Sequence, residues 1–453
     1  MQTWWQNVPP AWRFSLLLVT TLRIFYTIWA WFFLSSFSPV VQNQEIFGEP
    51  VVTVFDLQTS ESFIYWRSVE GVPLTFEAYD DTHIADTQTG SLWQIRDGQS
   101  ASDLNRGKSL APAAMTPERV FPYYSVTAYP VPLLAVWQRF DVNWYLAIAQ
   151  HGYGNVSGDV HFPPLYPVFI RMLSLVLRND FLSALLISQI SLYFMVKLLY
   201  DLFVEWGNDR ISEKALFFLL LFPTSFFFFS AYTEAIFILF AILCLRAIQS
   251  RTWHWAGFWI FCAILVRLQG VVLLLPFAWG LVQTRLKQVS VPQLLVGGLS
   301  SLTAVGVYLL IRAVSGDSAV IPITETNLHA RLVPPWENVM YSIRYLVQGT
   351  GGFIDFLNLV VFVVFSTLLL VYWKRFPVEY SLFALASLVL LSMRLVDTQP
   401  LNSMIRYVLT IFPIFYLFGT FAQNKWINLL MFACFLSLNL FLSAQFFLWG
   451  WVA

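Results

Sequence analysis

Apolar runs of about twenty residues, broken by short polar turns, fill most of this chain, and that is the length a helix rising about 1.5 Å per residue needs to cross about 30 Å of hydrocarbon. Eleven such runs are predicted as membrane spans, at residues 14–37, 181–204, 214–231, 233–249, 253–266, 268–283, 291–311, 353–373, 377–393, 403–422 and 426–449. Arg267 and Gly270 split the stretch 253–283, so those two helices are expected to enter part of the way or to cross as one bent element. Between 45 and 110 the period changes. Short pieces at 51–57, 62–69, 74–79 and 92–96 alternate apolar and polar residues between Gly, Pro, Asp and Thr, which predicts a small β-rich module. Residues 137–153 read as an amphipathic helix stopped at Gly152. The stretch 162–177, with Pro163, Pro164 and Pro167, is expected to lie along the interface or to dip and return.

Composition agrees with a membrane protein, since 58% of the residues are hydrophobic and 11% charged, against about 25% charged in an average soluble domain. The charges cancel overall, at 26 basic and 26 acidic residues, so no basic surface is available for nucleic acid. Their distribution is uneven. Residues 38–160 hold 14 acidic and 6 basic residues, a balance of −8, and the remainder holds 12 acidic and 20 basic, a balance of +8. Because basic residues favour cytoplasmic loops, 38–160 is expected outside the cytoplasm. With the N-terminus inside, the eleven-span count puts Glu234, Arg267 and the loops 312–352 and 394–406 on that same outer side. Cys244, Cys262 and Cys434 all lie in apolar runs and imply no disulfide framework, and no His/Cys metal spacing occurs.

Several polar residues in apolar company could carry chemistry. Asp141, among Phe140, Trp144 and Tyr145, suits a base, and equally a helix cap. Glu234, between two apolar helices, is either functional or a cap with Thr233. Arg267 could hold a lipid phosphate, snorkel to the interface, or pair with Glu234. Arg406 opens an outward helix and suits an anion, whereas Arg394 and Asp397 could simply pair with each other. His161 is a ligand contact or a structural histidine; His329 and Arg331 lie in a long external loop where charges are usually solvated. Asn155-Val-Ser157 fits a glycosylation sequon. No Walker loop, GxSxG or HExxH motif is present.

Four blocks of sequence bring these residues together. Phe140-Asp-Val-Asn-Trp-Tyr-Leu-Ala-Ile-Ala-Gln-His-Gly-Tyr153 with His161-Phe-Pro-Pro-Leu-Tyr-Pro167 resembles the WDxxxYLxIAxxGY and FFPLYP signature of the PIG-V mannosyltransferase family. Phe222-Pro-Thr-Ser-Phe-Phe-Phe-Phe-Ser-Ala-Tyr-Thr-Glu234, Arg267-Leu-Gln-Gly270 and Arg406-Tyr-Val-Leu-Thr-Ile-Phe-Pro413 resemble its later blocks, in order, so that the likeness runs from 137 to about 420 together with the first helix. Phe140 stands where the family has Trp, Gln269 where it has Asn, and the insertion at about 40–130 is longer than usual.

The resemblance implies an all-α, polytopic GT-C-like glycosyltransferase of about eleven spans, integral to the plasma membrane or the endoplasmic reticulum. Its expected parts are a first helix over 1–37, an extracytoplasmic β-rich insertion over 38–130, a catalytic loop with interfacial helices over 131–180, and a helical bundle over 181–453. A sugar, mannose in the family, would pass with inversion from a polyprenyl- or dolichyl-phosphate to a hydroxyl of a glycolipid, glycan or protein at the extracytoplasmic face. Asp141 would be the general base. Glu234, Arg267, Gln269, Arg406, Tyr145, His161, His329 and Arg331 would line the donor site, without a metal ligand set but with a divalent ion still open. The competing readings are a lipid or polysaccharide-precursor transporter, which predicts charges at mid-span and paired inverted halves, and a non-enzymatic assembly partner that docks through the insertion.

Overall fold

The computed structural model describes residues 8–36, 39–46, 49–56, 61–102, 105–113, 126–154, 159–284, 291–315 and 330–452. Contacts divide the chain into a unit formed by Ile24–Asn143 with Ala444–Gly450 and a unit formed by the rest.

The smaller unit contains the β-rich module. Strands β1 (Val40–Ile46), β2 (Glu49–Phe55) and β3 (Ser62–Trp66) form an antiparallel sheet in that order. A short hairpin follows, of β4 (Ser68–Val69) and β5 (Val72–Pro73), and then a second antiparallel sheet of β6 (Phe76–Ala78), β7 (His83–Asp86) and β8 (Leu92–Gln94). Val52, Val54, Tyr65, Leu74, Phe76, Ile84, Trp93, Ile95 and Leu110 form its core. β2 is covered on both faces, since Val51, Thr53 and Phe55 are buried as well and Phe55 stacks on Trp449.

Asp86 is the module's buried charge. Burial acts to raise its pKa, but Trp93 Nε1 at 3.0 Å, Thr89 Oγ1 at 2.7 Å and the Thr89 amide at 2.6 Å all donate to the carboxylate and outweigh burial, leaving it below its ordinary value. A lowered folded pKa stabilises the module above the unfolded pKa of about 4, and the contribution disappears as pH falls through the folded value. Amide protection in β7 and β8 is therefore expected to hold down to about pH 5 and to fall progressively below it in the native chain. Asp86→Asn should start lower and vary little over that range; hydrogen exchange corrected for intrinsic rates measures both.

Outside the β-rich module the described chain is helical apart from one small sheet. In chain order the helices are α1 (Pro10–Ser36), α2 (Asp141–His151), α3 (Leu165–Leu177), α4 (Asp180–Trp206), α5 (Asp209–Leu221), α6 (Glu234–Gln249), α7 (Trp253–Val266), α8 (Leu274–Gln283), α9 (Val291–Val314), α10 (Pro335–Val347), α11 (Phe353–Val371), α12 (Val378–Ser392), α13 (Met404–Tyr407), α14 (Pro413–Phe421) and α15 (Lys425–Phe447). Asn179 and Asn208 cap α4 and α5, their side chains accepting from the amides of Leu182 and Ile211, which satisfies donors that a helix start leaves open. α6 is buried along nearly its whole length, with α4 and α7 packed against it. Strand β9 (Ala330–Leu332) pairs antiparallel with β10 (Arg394–Val396).

The eleven expected spans are not found. Among the described residues, four helices are long and apolar enough to cross a membrane: α1, α4, α11 and α15. A fifth is counted only if Met404–Thr410 and Pro413–Phe421, bent by 93°, act as one span. Hydropathy along the other runs is high, but most of their helices are short. α7 has 14 residues and α12 has 15, about 21 to 23 Å at 1.5 Å per residue. The run 214–231 breaks after Leu221, where Pro223 can donate no backbone hydrogen bond, and continues as a 3-10 turn, Ser225–Phe229. The chain is thus mostly helical with small sheets, and the sheet joining β9 and β10 was not expected.

Candidate active site

Glu234 is the first residue of α6 and has no exposed surface. Its carboxylate does not serve as an ordinary cap. Oε1 accepts from Arg267 Nη1 at 2.7 Å and from Arg406 Nε at 2.7 Å, while the Thr233 side chain makes no capping bond. One carboxylate thus faces two guanidiniums, and the trio carries an excess positive charge in an apolar setting, which favours an anion against it. Among the described residues, no donor reaches Oε2.

The two arginines differ. Arg406 is 3% exposed and lies over the rings of Tyr232 at 4.4 Å, Phe227 at 4.7 Å and Tyr407 at 5.5 Å, so aromatic faces take up its remaining charge. Arg267 is 12% exposed, lies over Tyr407 at 5.3 Å, and donates to Thr233 Oγ1 at 3.1 Å. Of the pair, Arg267 is the more exposed.

Local backbone explains how Arg267 comes to be there. α7 stops at Val266, Arg267 is extended, and a 3-10 turn, Leu268–Leu273, folds back on the end of α7. Gly270 makes this possible, because a Cβ at that position would overlap the backbone of Ala263 and Ile264. The same turn buries Gln269, whose Nε2 donates to Thr410 Oγ1 at 2.7 Å, and Thr410 donates in turn to the Tyr407 carbonyl. The Arg267 and Arg406 blocks are thereby bonded to each other.

Tyr145 reaches the cluster through Thr233, its hydroxyl 3.3 Å from Thr233 Oγ1, and its ring packs edge-on against Phe162 and Tyr166. Tyr166 bonds Ser188, which donates to the Tyr232 carbonyl. Thr233 is therefore the joint between Tyr145 and Arg267, a role hidden in the sequence because Thr-Glu before an apolar run reads as a helix start. Tyr232, Tyr407 and Phe227, which cradle Arg406, carried no signal beyond the local abundance of aromatic residues.

The other candidates are placed elsewhere. Asp141 belongs to the smaller unit and is the first residue of α2, preceded by Phe140 at φ 49°, a left-handed conformation that is an outlier for a bulky side chain and marks local strain. In that unit Arg139 is buried, donates to the carbonyls of Ala135 and Phe447, and lies over Trp449 at 4.4 Å. His161 ends the turn Asp159–His161 and is half-buried. Arg331 is exposed, 3.8 Å from Asp397 and 4.0 Å from Glu337, which makes it a surface pair rather than part of the Glu234 cluster. His329 and the sequon at 155–157 lie outside the described residues. Among the described residues no group of three His, Cys, Asp or Glu is placed to hold a metal ion.

Residues 105–288 match the family model described as Mannosyltransferase (PIG-V). The matched stretch begins inside the expected insertion, includes Asp141, Tyr145, His161, Glu234, Arg267 and Gln269, and ends before Arg406. The match makes the chain similar to a family of sugar-transfer enzymes over less than half of its length. No curated protein and no solved structure matches the chain.

Proposed function

We propose that the chain transfers a sugar, mannose by the family likeness, from a polyprenyl-phosphate donor to an acceptor hydroxyl at the extracytoplasmic face of the membrane, with inversion. The observation that carries this reading is the buried carboxylate shared by two arginines, of which Arg267 is the more exposed. A lipid-linked phosphate supplies the anion that this excess charge favours, and its prenyl chain suits a protein with helices able to lie in a bilayer. The acidic balance of 38–160, which runs through Asp141, supports the outer face.

In this reading the acceptor oxygen attacks the anomeric carbon as the bond from that carbon to the phosphate oxygen breaks. Asp141 takes the acceptor proton, and the lipid phosphate leaves with its new charge stabilised by Arg267. Glu234 does not react; it fixes the direction of both guanidiniums, and Tyr145 and Gln269 brace them through Thr233 and Thr410. Asp141→Asn keeps the shape and removes the base. Transfer from a polyprenyl-phosphate sugar is expected to fall about 10²- to 10⁴-fold with little change in donor KM, and unchanged turnover would remove Asp141 from the mechanism.

A further inference from the structure

α10 has two faces of opposite character. Its inner face is polar and aromatic and holds the segment 392–401. Asn338 Nδ2 donates to the carbonyls of Ser392 and Arg394, its Oδ1 accepts from the Leu401 amide, and the hydroxyls of Tyr341 and Tyr345 donate to the carbonyls of Asp397 and Thr398. Its outer face is a stripe of Trp336, Met340, Ile343 and Val347, which are 68%, 52%, 47% and 81% exposed. At about 100° per residue these four fall within about 60° of one another. The exposed Glu337 and Arg344 lie on one flank of the stripe only.

What covers the stripe follows from where the helix is tethered. α11 begins at Phe353 and is one of the helices able to span, with 19 residues, about 28 Å, which nearly equals the hydrocarbon thickness. Its first turn therefore sits at a membrane surface, and it begins with Phe353 and Phe356 exposed. Only Gln348 to Gly352 separate the two helices, which pack against each other, so α10 cannot leave the bilayer surface by more than about 17 Å, the reach of five extended residues. Both helices expose large apolar side chains, and Trp336 and Arg344 are residue types that favour the headgroup level.

We propose that α10 is an interfacial helix whose Trp336, Met340, Ile343 and Val347 stripe inserts into the lipid surface. The inner face would then anchor the segment leading to Arg406 to the membrane plane. The inference depends on the spanning helix beside α10 and not on sugar transfer.

The full chain, with the exposed Cys434 changed to Ser, is reconstituted in phosphatidylcholine vesicles carrying a nitroxide high or low on the acyl chain. An environment-sensitive fluorophore is attached at Met340→Cys, at Val347→Cys or, as a control in the β-rich module, at Tyr79→Cys. The first two labels are expected to emit to the blue of the control and to be quenched more by the shallow nitroxide than by the deep one. Water-like, unquenched emission from both, in protein that melts with the unlabelled chain, overturns the proposal. Stronger quenching by the deep nitroxide also overturns it, as does oxidative cross-linking of Met340→Cys between two chains, which would assign the stripe to a second copy.

Discussion

Arg267→Lys is expected to lower kcat/KM for a polyprenyl-phosphate sugar by about 10²- to 10³-fold, the cost of losing one well-placed donor to a developing anion. Lysine keeps the charge, so the pairing with Glu234 and the fold should persist. It cannot, however, hold Glu234 and Thr233 with one edge and a phosphate with the other, as a planar guanidinium can. The loss should appear in donor KM as well as kcat, because the phosphate is present in both ground and transition states. Arg406→Lys provides the contrast. Arg406 is buried between rings, so its substitution should lower thermal stability and leave donor KM close to the native value. Steady-state kinetics with varied donor, together with a melting curve for each variant, separates the two arginines, and an unchanged donor KM for Arg267→Lys would end its assignment to the phosphate.

The arrangement of these residues was legible in the sequence to different depths. Short β-branched and aromatic pieces bounded by turn residues in 45–110 pointed to β-strands, and β2, β3, β6 and β8 fall on those pieces, although β2 is buried on both faces and so shows no period of two. The pairing of Glu234 with Arg267 was one of the readings open for Arg267, and that pair is present. Hydropathy failed as a count of spans because it measures apolar content and not helix length: the run around Pro223 is largely apolar, yet its helix stops and turns, whereas the break at Arg267 and Gly270 was already visible in the sequence. The pairing of β9 with β10 joins two three-residue strands more than sixty positions apart, and neither is long enough to show a period. The sequence did not separate the roles of Arg406 and Arg267, since each is a lone cation in an apolar stretch that suits an anion. What separates them is which rings close over them, a property of residues as distant as Phe227 and Tyr407.

Glu234→Gln is expected to be the most damaging single change to stability. Removing the carboxylate's charge leaves two guanidiniums facing each other in a site with almost no access to water, and breaking a buried ion pair from one side costs about 3 to 5 kcal/mol. The variant should melt well below the native protein and be inactive, which on its own would not distinguish a structural loss from a catalytic one. The double variant Glu234→Gln with Arg406→Met removes a charge from each side, keeps Arg267, and places an apolar side chain between Phe227 and Tyr232. It should recover much of the lost stability, since paired removal of buried charges is often neutral, and the non-additivity of the two substitutions measures their coupling. Transfer should remain low in the restored protein, because Arg267 would no longer be held by Glu234. Recovery of stability and activity together would show instead that Glu234 serves only to neutralise Arg406.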